Sequence, residues 1–168
     1  GLDYNKLRIS RAQQRGNNAG LSVADVRTLP LKSKSCDVAF CNHVLEHIAD
    51  DSDVLEEMKR ILSDTGIGII SVPNEGCALA RLRNTFIQPS IQKTTDHVHF
   101  FTLKTLRSKL SKAGFAVIAT FRMGFFFPHL GISSKLLEFR AAEMLFAFLG
   151  KLFPSQSAEM IITVKHDE

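Results

Sequence analysis

Apolar runs alternate along the chain with stretches of helical periodicity, and this alternation predicts the order of strands and helices. The run 37–41 is largely apolar and shows no polar alternation, which is typical of a strand buried on both faces of a parallel sheet. Other short apolar runs predict further strands. Together the predicted strands cover residues 21–24, 37–41, 67–72, 115–121 and 159–164.

The stretches between these runs predict four helices. In the second, apolar residues recur at roughly helical spacing, although 50–52 is a point where that helix can stop and restart. Thr102 is a candidate N-cap for the third, and Gly114 supplies the left-handed residue that ends a helix. The predicted helices cover residues 5–15, 44–63, 102–113 and 133–150, whereas residues 75–101 show no sustained period.

Strands that alternate with helices imply βαβ crossovers and an α/β fold with a doubly wound, mostly parallel sheet. At 168 residues the chain is long enough for one such domain, so we treat 1–168 as a single unit. In sheets of this kind, ligands bind beside the carboxyl ends of the strands. The residues that directly follow the predicted strands are therefore the first candidates for chemistry.

Composition narrows the choice of partner and compartment. The net charge is +4 and the basic residues are scattered, so a solvated surface explains them better than a nucleic-acid interface. The three cysteines form no CxxC pair, which fits a reducing, cytoplasmic compartment. No apolar run reaches the length of about 18 residues that a membrane-spanning helix needs.

Two aspartates at strand ends each have two interpretations. If Gly1-Leu2 is the end of a strand, Asp3 can accept hydrogen bonds from both hydroxyls of a ribose. It can equally cap the helix predicted at 5–15. Asp25 can accept a hydrogen bond from an adenine amino group, but spacing alone favours a turn aspartate before Leu29-Pro30.

Histidines offer a second kind of chemistry. The order His43-x-x-Glu46-His47 is the inverted zinc-hydrolase pattern, with two histidines as zinc ligands and a glutamate as base. It begins directly after a strand and no third ligand stands out, so the zinc hydrolase is the weaker alternative. His97 and His99 lie in the irregular segment, where they can bind a metal, hold the backbone or act as a general base. We predict no metal site.

Taken in order, these segments resemble a known enzyme family. The chain reads G-L-D, then V-A-D-V-R-T-L-P, then S-C-D-V-A-F-C-N-H-V-L-E-H-I, and later D-H-V-H-F-F-T-L-K-T-L-R-S-K-L-S-K-A-G-F. This order is similar to the class I S-adenosylmethionine-dependent methyltransferases. Within them it resembles the small-molecule branch that includes the ubiquinone and menaquinone biosynthesis enzymes (methyltransferase type 11). The resemblance extends to about Phe121 and implies a Rossmann-like sheet with an antiparallel C-terminal strand.

The resemblance also implies roles for individual residues. S-adenosyl-L-methionine is the implied cofactor, with Asp3 on its ribose and Asp25 facing the adenine amino group. His47 matches a family histidine that has either a structural or a catalytic role. The remaining implied cofactor contacts are Leu2 and Tyr4 beside the adenine, Val26 through its backbone, and Asn42 and His43 beside the methionine part.

One departure from the family pattern concerns the glycine-rich cofactor loop. Family members carry this loop after their first strand, where backbone N–H groups approach the cofactor closely. No such loop precedes Asp3 in this sequence. We therefore expect a domain truncated at its N-terminus, whose sheet lacks the usual first strand. The alternative to an enzyme is a non-catalytic binding or scaffold module.

The resemblance and the apolar C-terminal region together indicate the acceptor. We expect methyl transfer to a small, apolar, lipid- or quinone-like molecule. Residues 75–101 resemble an acceptor-side lid, and 124–154 form an apolar helical insertion before the last strand. The helix predicted there is either buried against the sheet or available for lipid, membrane or subunit contact through 133–153. The candidate bases for an acceptor hydroxyl are His97, His43 and His99.

Overall fold

The computed structural model describes residues 1–16 and 19–167, whose strands form two sheets. The small sheet pairs β1 (Leu2–Asp3) in parallel with β2 (Ser22–Val23). The large sheet consists of β3 (Cys36–Asn42), β4 (Leu62–Pro73), β5 (Phe115–Met123) and β6 (Glu159–His166). Its spatial order is β3-β4-β6-β5.

The directions of the strands confirm the predicted fold class. β3 and β4 are parallel, whereas β6 runs antiparallel to both of its neighbours, β4 and β5. The sheet is therefore of the Rossmann-like kind, with an antiparallel C-terminal strand. Each predicted strand is present, and β3 to β6 extend beyond the runs that predicted them because pairing with a neighbour carries a strand past its most apolar part.

The helices connect these strands and end at recognisable signals. Thr102 caps the fifth helix through a capping box with Thr105, and Gly114 follows that helix with φ +76°. Among the helices of the described residues, none combines the length and the apolar character needed to cross a membrane. The helices are α1 (Lys6–Gln14), α2 (Asp51–Ile61), α3 (Ala78–Leu82), α4 (Ile91–Thr94), α5 (Leu103–Lys112), α6 (Leu130–Leu136) and α7 (Arg140–Leu152).

The helix predicted at 44–63 is too long. A single 3₁₀ turn, Leu45–His47, precedes α2, and the break falls where 50–52 allowed it. Leu62 already pairs with Cys36 in the parallel register, so the segment 64–66 belongs to β4. Pairing with β3 overrides the local helical pattern here.

Two other segments differ from the expectation. Residues 75–101, predicted as irregular, contain α3, α4 and a π-helical turn at Arg83–Ile87. Each of these is four or five residues long, which is too short for a periodic pattern to be detected. The helix predicted at 133–150 is divided into α6 and α7 because Phe139 adopts an extended backbone between them.

α2 and α5 cover one face of the large sheet and form the core with it. On the other face β3 presents Val38 and Phe40, which are 56% and 64% exposed. The prediction that the run 37–41 is buried on both faces is therefore wrong for the described residues. The core side chains include Val54, Leu55, Met58, Ile70, Val72, Leu106, Leu110, Phe115, Met160, Ile162 and Val164.

α7 lies against the β5 end of the molecule and buries little of itself. Phe146 packs against Phe125 and Phe127, and Gly150 lets the helix approach the backbone of Gly124, where an added Cβ would meet the Gly124 carbonyl oxygen at 2.1 Å. The other large apolar side chains of this region are exposed; they include Phe139, Met144, Leu145, Phe148 and Leu152. The helix is thus not buried against the sheet as a whole.

Candidate functional site

Asp3 ends β1 and does not cap α1. The cap is Asn5, whose Oδ1 accepts hydrogen bonds from the N–H groups of Leu7 (2.9 Å) and Arg8 (3.2 Å). Asp3 accepts from the N–H of Asn5 at 2.7 Å through Oδ1, and its Oδ2 lies 3.8 Å from the Arg8 guanidinium. A third of the Asp3 side chain is exposed. The carboxylate therefore keeps acceptor capacity at Oδ2.

Asp25 follows β2 and is held by Arg27. Its Oδ1 accepts from the Arg27 side-chain Nε (3.0 Å) and backbone N–H (2.9 Å), and its Oδ2 accepts from Nη2 at 2.7 Å. These hydrogen bonds, with the charge of Arg27, lower the pKa of Asp25 to about 2. The N–H of Thr28 also donates to the Asp25 carbonyl at 3.1 Å, as in a turn. An adenine amino group would have to share this carboxylate with Arg27.

The two sheets share an apolar groove of about 690 Å³. Leu2 and Val26, two of the residues predicted to contact the cofactor, line it together with Val38 and Phe40 from β3. Tyr4 is 80% exposed and lies outside the lining. The groove thus brings the small sheet and the β3 edge to one concave surface.

Asn42 and His43 form a strained turn at the end of β3. His43 has φ +49°, a left-handed conformation that costs a non-glycine residue roughly 1–2 kcal/mol. Its N–H donates to the Ser71 carbonyl at 3.0 Å. Its ring nitrogens each lie 3.2 Å from a carboxylate oxygen, Nδ1 from Glu46 and Nε2 from Glu159. Strain of this kind is typical of ligand and catalytic sites.

The backbone carbonyl of Glu46 joins two distant parts of the chain. It accepts hydrogen bonds from the N–H groups of Val98 (2.7 Å) and His99 (3.1 Å). This contact places His97 beside His47, and the two rings meet edge to face with centroids 4.7 Å apart. The structure therefore assembles the predicted histidine segment 97–99 on the turn after β3.

His97 is oriented by a buried carboxylate. Its Nδ1 lies 2.6 Å from Oε2 of Glu75, and Oε1 of Glu75 accepts from Nη2 of Arg83 at 3.0 Å. Arg83 is 3% exposed, and its guanidinium carbon lies 4.9 Å above the ring of Phe126. The Nε2 atom of His97 is left for a ligand or a proton.

His99 is separated from this group. Its Nε2 lies 3.1 Å from the carbonyl oxygen of Ala49 and 3.5 Å from Oδ2 of Asp51, so the side chain fastens the segment to the start of α2. His43 is likewise outside the set of converging ligand atoms. In the described residues, that set belongs to Glu46, His47 and His97, whose atoms lie within 4.8 Å of one another.

Sequence reasoning missed three residues of this site. Glu75 lies two residues after Pro73, where β4 ends, so its position near a strand end was the available signal. Arg83 and Glu159 carried no such signal. Arg83 lies in a π-helical turn that no periodicity indicates, and Glu159 opens the antiparallel strand β6.

Comparison with known proteins shows what this arrangement is similar to. Residues 1–70 match the family described as "Methyltransferase domain". The chain is 28% identical over 118 residues to a protein of Mycobacterium tuberculosis described as a probable S-adenosylmethionine-dependent methyltransferase, covering 70% of this chain and 40% of that protein. A Mycolicibacterium smegmatis protein of similar description is 27% identical over 117 residues, covering 70% of this chain and 43% of the relative. The chain thus spans about two fifths of the length of these relatives.

Solved structures show the same fold. A methyltransferase structure from Thermotoga maritima has a TM-score of 0.71 at 18% identity and covers 99% of this chain and 72% of its own. One from Mesorhizobium loti has a TM-score of 0.65 at 20% identity and covers 99% of this chain and 79% of its own. Both are described as S-adenosylmethionine-dependent.

Proposed function

We propose that this chain is a class I S-adenosylmethionine-dependent methyltransferase that holds its cofactor at its strand ends and supports transfer of the methyl group to a small-molecule acceptor. The observation that carries the proposal is the placement of polar groups after successive strands. Asp3 ends β1, Asp25 follows β2, and the strained turn Asn42-His43 ends β3. Ligands of such sheets bind at these ends.

The residues present fit the adenosine part of the cofactor in different degrees. Among the described residues, Oδ2 of Asp3 is approached by the Arg8 guanidinium alone, at 3.8 Å, so this oxygen can accept from ribose hydroxyls. Leu2 and Val26 supply apolar surface for the adenine in the groove. Asp25 fits the adenine amino group only through the remaining lone pair of Oδ2, because Arg27 occupies the other positions.

The chain offers His97 as the proton acceptor for an acceptor hydroxyl. S-adenosylmethionine supplies a methyl group on a positively charged sulfur, and the acceptor oxygen attacks it in line as the sulfur leaves as a thioether. His97 would take the hydroxyl proton at Nε2, since Glu75 engages Nδ1. Of the other candidates, His43 has both nitrogens beside carboxylates and His99 is bound to the start of α2.

An apolar acceptor is supported by the surfaces near the C-terminus. The segment 75–101 carries His97 and packs beside the insertion 124–154 through Arg83 and Phe126, as a lid over an acceptor would. The insertion exposes several large apolar side chains on α7, which suit a lipid- or quinone-like molecule. The same face fits reversible contact with a lipid surface as a second candidate role.

Calorimetric titration with S-adenosylhomocysteine tests the cofactor site. We expect binding by the chain, and Asp3→Ala should weaken it by about 10–100-fold, since a hydrogen bond to a charged group contributes roughly 1.5–3 kcal/mol. Asp64→Ala is the matched control. Asp64 is an exposed carboxylate in β4 that pairs with Lys34, and its removal should leave the affinity unchanged.

The outcomes separate the two functions under consideration. Equal affinity for the wild type and Asp3→Ala would contradict the ribose contact. Absence of binding at millimolar ligand would favour the non-catalytic binding module instead. For the acceptor, methyl transfer to a phenol with a long alkyl chain should exceed transfer to the same phenol without it, and His97→Asn should reduce both rates.

A further inference from the structure

Glu46 is a buried carboxylate without a hydrogen-bonding partner. The residue is fully buried, and neither carboxylate oxygen has a hydrogen bond to any described residue. The nearest groups able to carry positive charge are His43, with Nδ1 at 3.2 Å, and His47, with Nε2 at 4.0 Å. A carboxylate removed from water is costly unless a cation or hydrogen-bond donors compensate it.

Two histidines converge on this carboxylate with their outer nitrogens already engaged. The Nδ1 of His97 lies 2.6 Å from Glu75, and the Nδ1 of His47 lies 3.2 Å from Asp96, at ion-pair distance but not aligned for a hydrogen bond. Carboxylates in this position fix the orientation of metal-binding histidines and leave Nε2 to the metal. The Nε2 of His47 lies 4.0 Å from Glu46, and Nε2 is the ring nitrogen of His97 that Glu75 leaves available.

From this arrangement we propose that Glu46, His47 and His97 bind a divalent transition-metal cation such as Zn²⁺. Their ligand atoms lie within 4.8 Å of one another. Bonds of about 2.0–2.2 Å to one cation require separations of roughly 3.4 Å, so small side-chain rotations close the site. Two imidazoles and one carboxylate are a common zinc set, and they leave a coordination position open.

This site differs from the zinc-hydrolase pattern His43-x-x-Glu46-His47, and it also differs from the prediction that the chain has no metal site. His43, the first histidine of that pattern, contacts Glu46 and Glu159 but is not among the converging ligands. The third ligand instead comes from His97, fifty residues after His47 in the chain. The inference does not rest on the proposed function. A cation bound to Nε2 would prevent His97 from acting as the base; it would instead lower the pKa of an acceptor hydroxyl bound at its open position, whose proton would pass to solvent.

Equilibrium dialysis of the metal-stripped chain against Zn²⁺, with metal analysis, tests the site. We expect one cation per chain for the wild type and a visible absorption band when Co²⁺ replaces Zn²⁺. Loss of an outer-sphere partner typically lowers metal affinity about 10–100-fold. Glu46→Gln and His97→Asn remove ligands themselves, so each should lower the affinity for Zn²⁺ by at least that much. His129→Asn is the control, because His129 caps α6 and is not among the converging ligands, so this variant should bind Zn²⁺ normally.

A further variant, at an exposed position, tests the site even if Glu46→Gln or His97→Asn misfolds. Asp96 is largely exposed, so Asp96→Asn should fold normally and still weaken Zn²⁺ binding about 10-fold, through the lost orientation of His47. Zn²⁺ should raise the melting temperature of the wild type and the control but not of Glu46→Gln. Less than one bound cation in the wild type would overturn the proposal. Unchanged affinity in folded Glu46→Gln and His97→Asn would also overturn it. All these readouts are independent of S-adenosylhomocysteine binding.

Discussion

The pair Arg83–Glu75 makes a strong prediction about stability, because both charges are removed from water. The side chains are only 4% and 11% exposed, their closest atoms are 3.0 Å apart, and Glu75 also contacts His97. The substitution Arg83→Met keeps a long apolar stem against Phe126 but removes the charge. Glu75 is then left as a buried carboxylate without its guanidinium partner.

The expected cost follows from that orphaned charge. Removing one partner of a buried ion pair typically costs about 3–5 kcal/mol. In a chain of 168 residues this corresponds to a fall in melting temperature of roughly 10 °C. Adding Glu75→Gln to Arg83→Met removes the uncompensated charge, so the double variant should be less destabilised than the sum of the two single variants.

Urea unfolding at pH 7, followed by circular dichroism because the chain has no tryptophan, measures these free energies. Lys34→Met is the control. It breaks the ion pair with Asp64, in which the Lys34 and Asp64 side chains are 65% and 75% exposed, and should cost far less stability because solvent screens this pair. If Arg83→Met lowers the free energy of unfolding by less than about 1 kcal/mol, the argument from a buried ion pair is wrong. It is also wrong if the effects of Arg83→Met and Glu75→Gln are strictly additive.

Three further predictions concern packing and ionisation. Gly150→Ala should destabilise the chain by about 1–3 kcal/mol in urea unfolding, because the new methyl group meets the backbone of Gly124 at 2.1 Å. Asp25 should titrate near pH 2 by nuclear magnetic resonance. Since its pKa in the folded state lies below the ordinary 3.8, its stabilising contribution is full above about pH 4 and is lost as the pH falls towards 2. Burial, with the charge of Glu46, raises the pKa of Cys41 to about 12, so this thiol should resist alkylation of the native chain at pH 8.

Matched variants make these three predictions decisive. Gly20→Ala adds a methyl group into open space and should be near neutral, so equal losses for both glycines would contradict the steric argument. Arg27→Ala should return the titration of Asp25 towards 3.8, and an unchanged midpoint would mean that Arg27 is not the cause. The half-buried Cys36 should be alkylated before Cys41; the reverse order would contradict the burial of Cys41.

The strand ends were the most predictable part of the site. Asp3, Asp25 and Asn42-His43 were located because a carboxyl-terminal strand end is defined by local pattern, and the structure places each of them there. Their contacts were less predictable. Asn5 rather than Asp3 caps α1, and Arg27 donates hydrogen bonds to the Asp25 carboxylate. Several possible hydrogen-bond partners lie two or three residues away in each case, and backbone geometry decides which of them is used.

The sequence by itself determined the order of the strands, the fold class and the residues at strand ends, since each depends on hydrophobic period or turn chemistry within one short window. Tertiary structure alone decided where β4 begins, because Leu62 pairs with Cys36 of β3 although the local pattern predicts a helix there. It alone brought His97 to Glu46 and His47, because the N–H groups of 98–99 donate to the Glu46 carbonyl from more than fifty residues further along the chain. Contacts of that separation are set by how the sheet and its connections pack, and no local pattern encodes them.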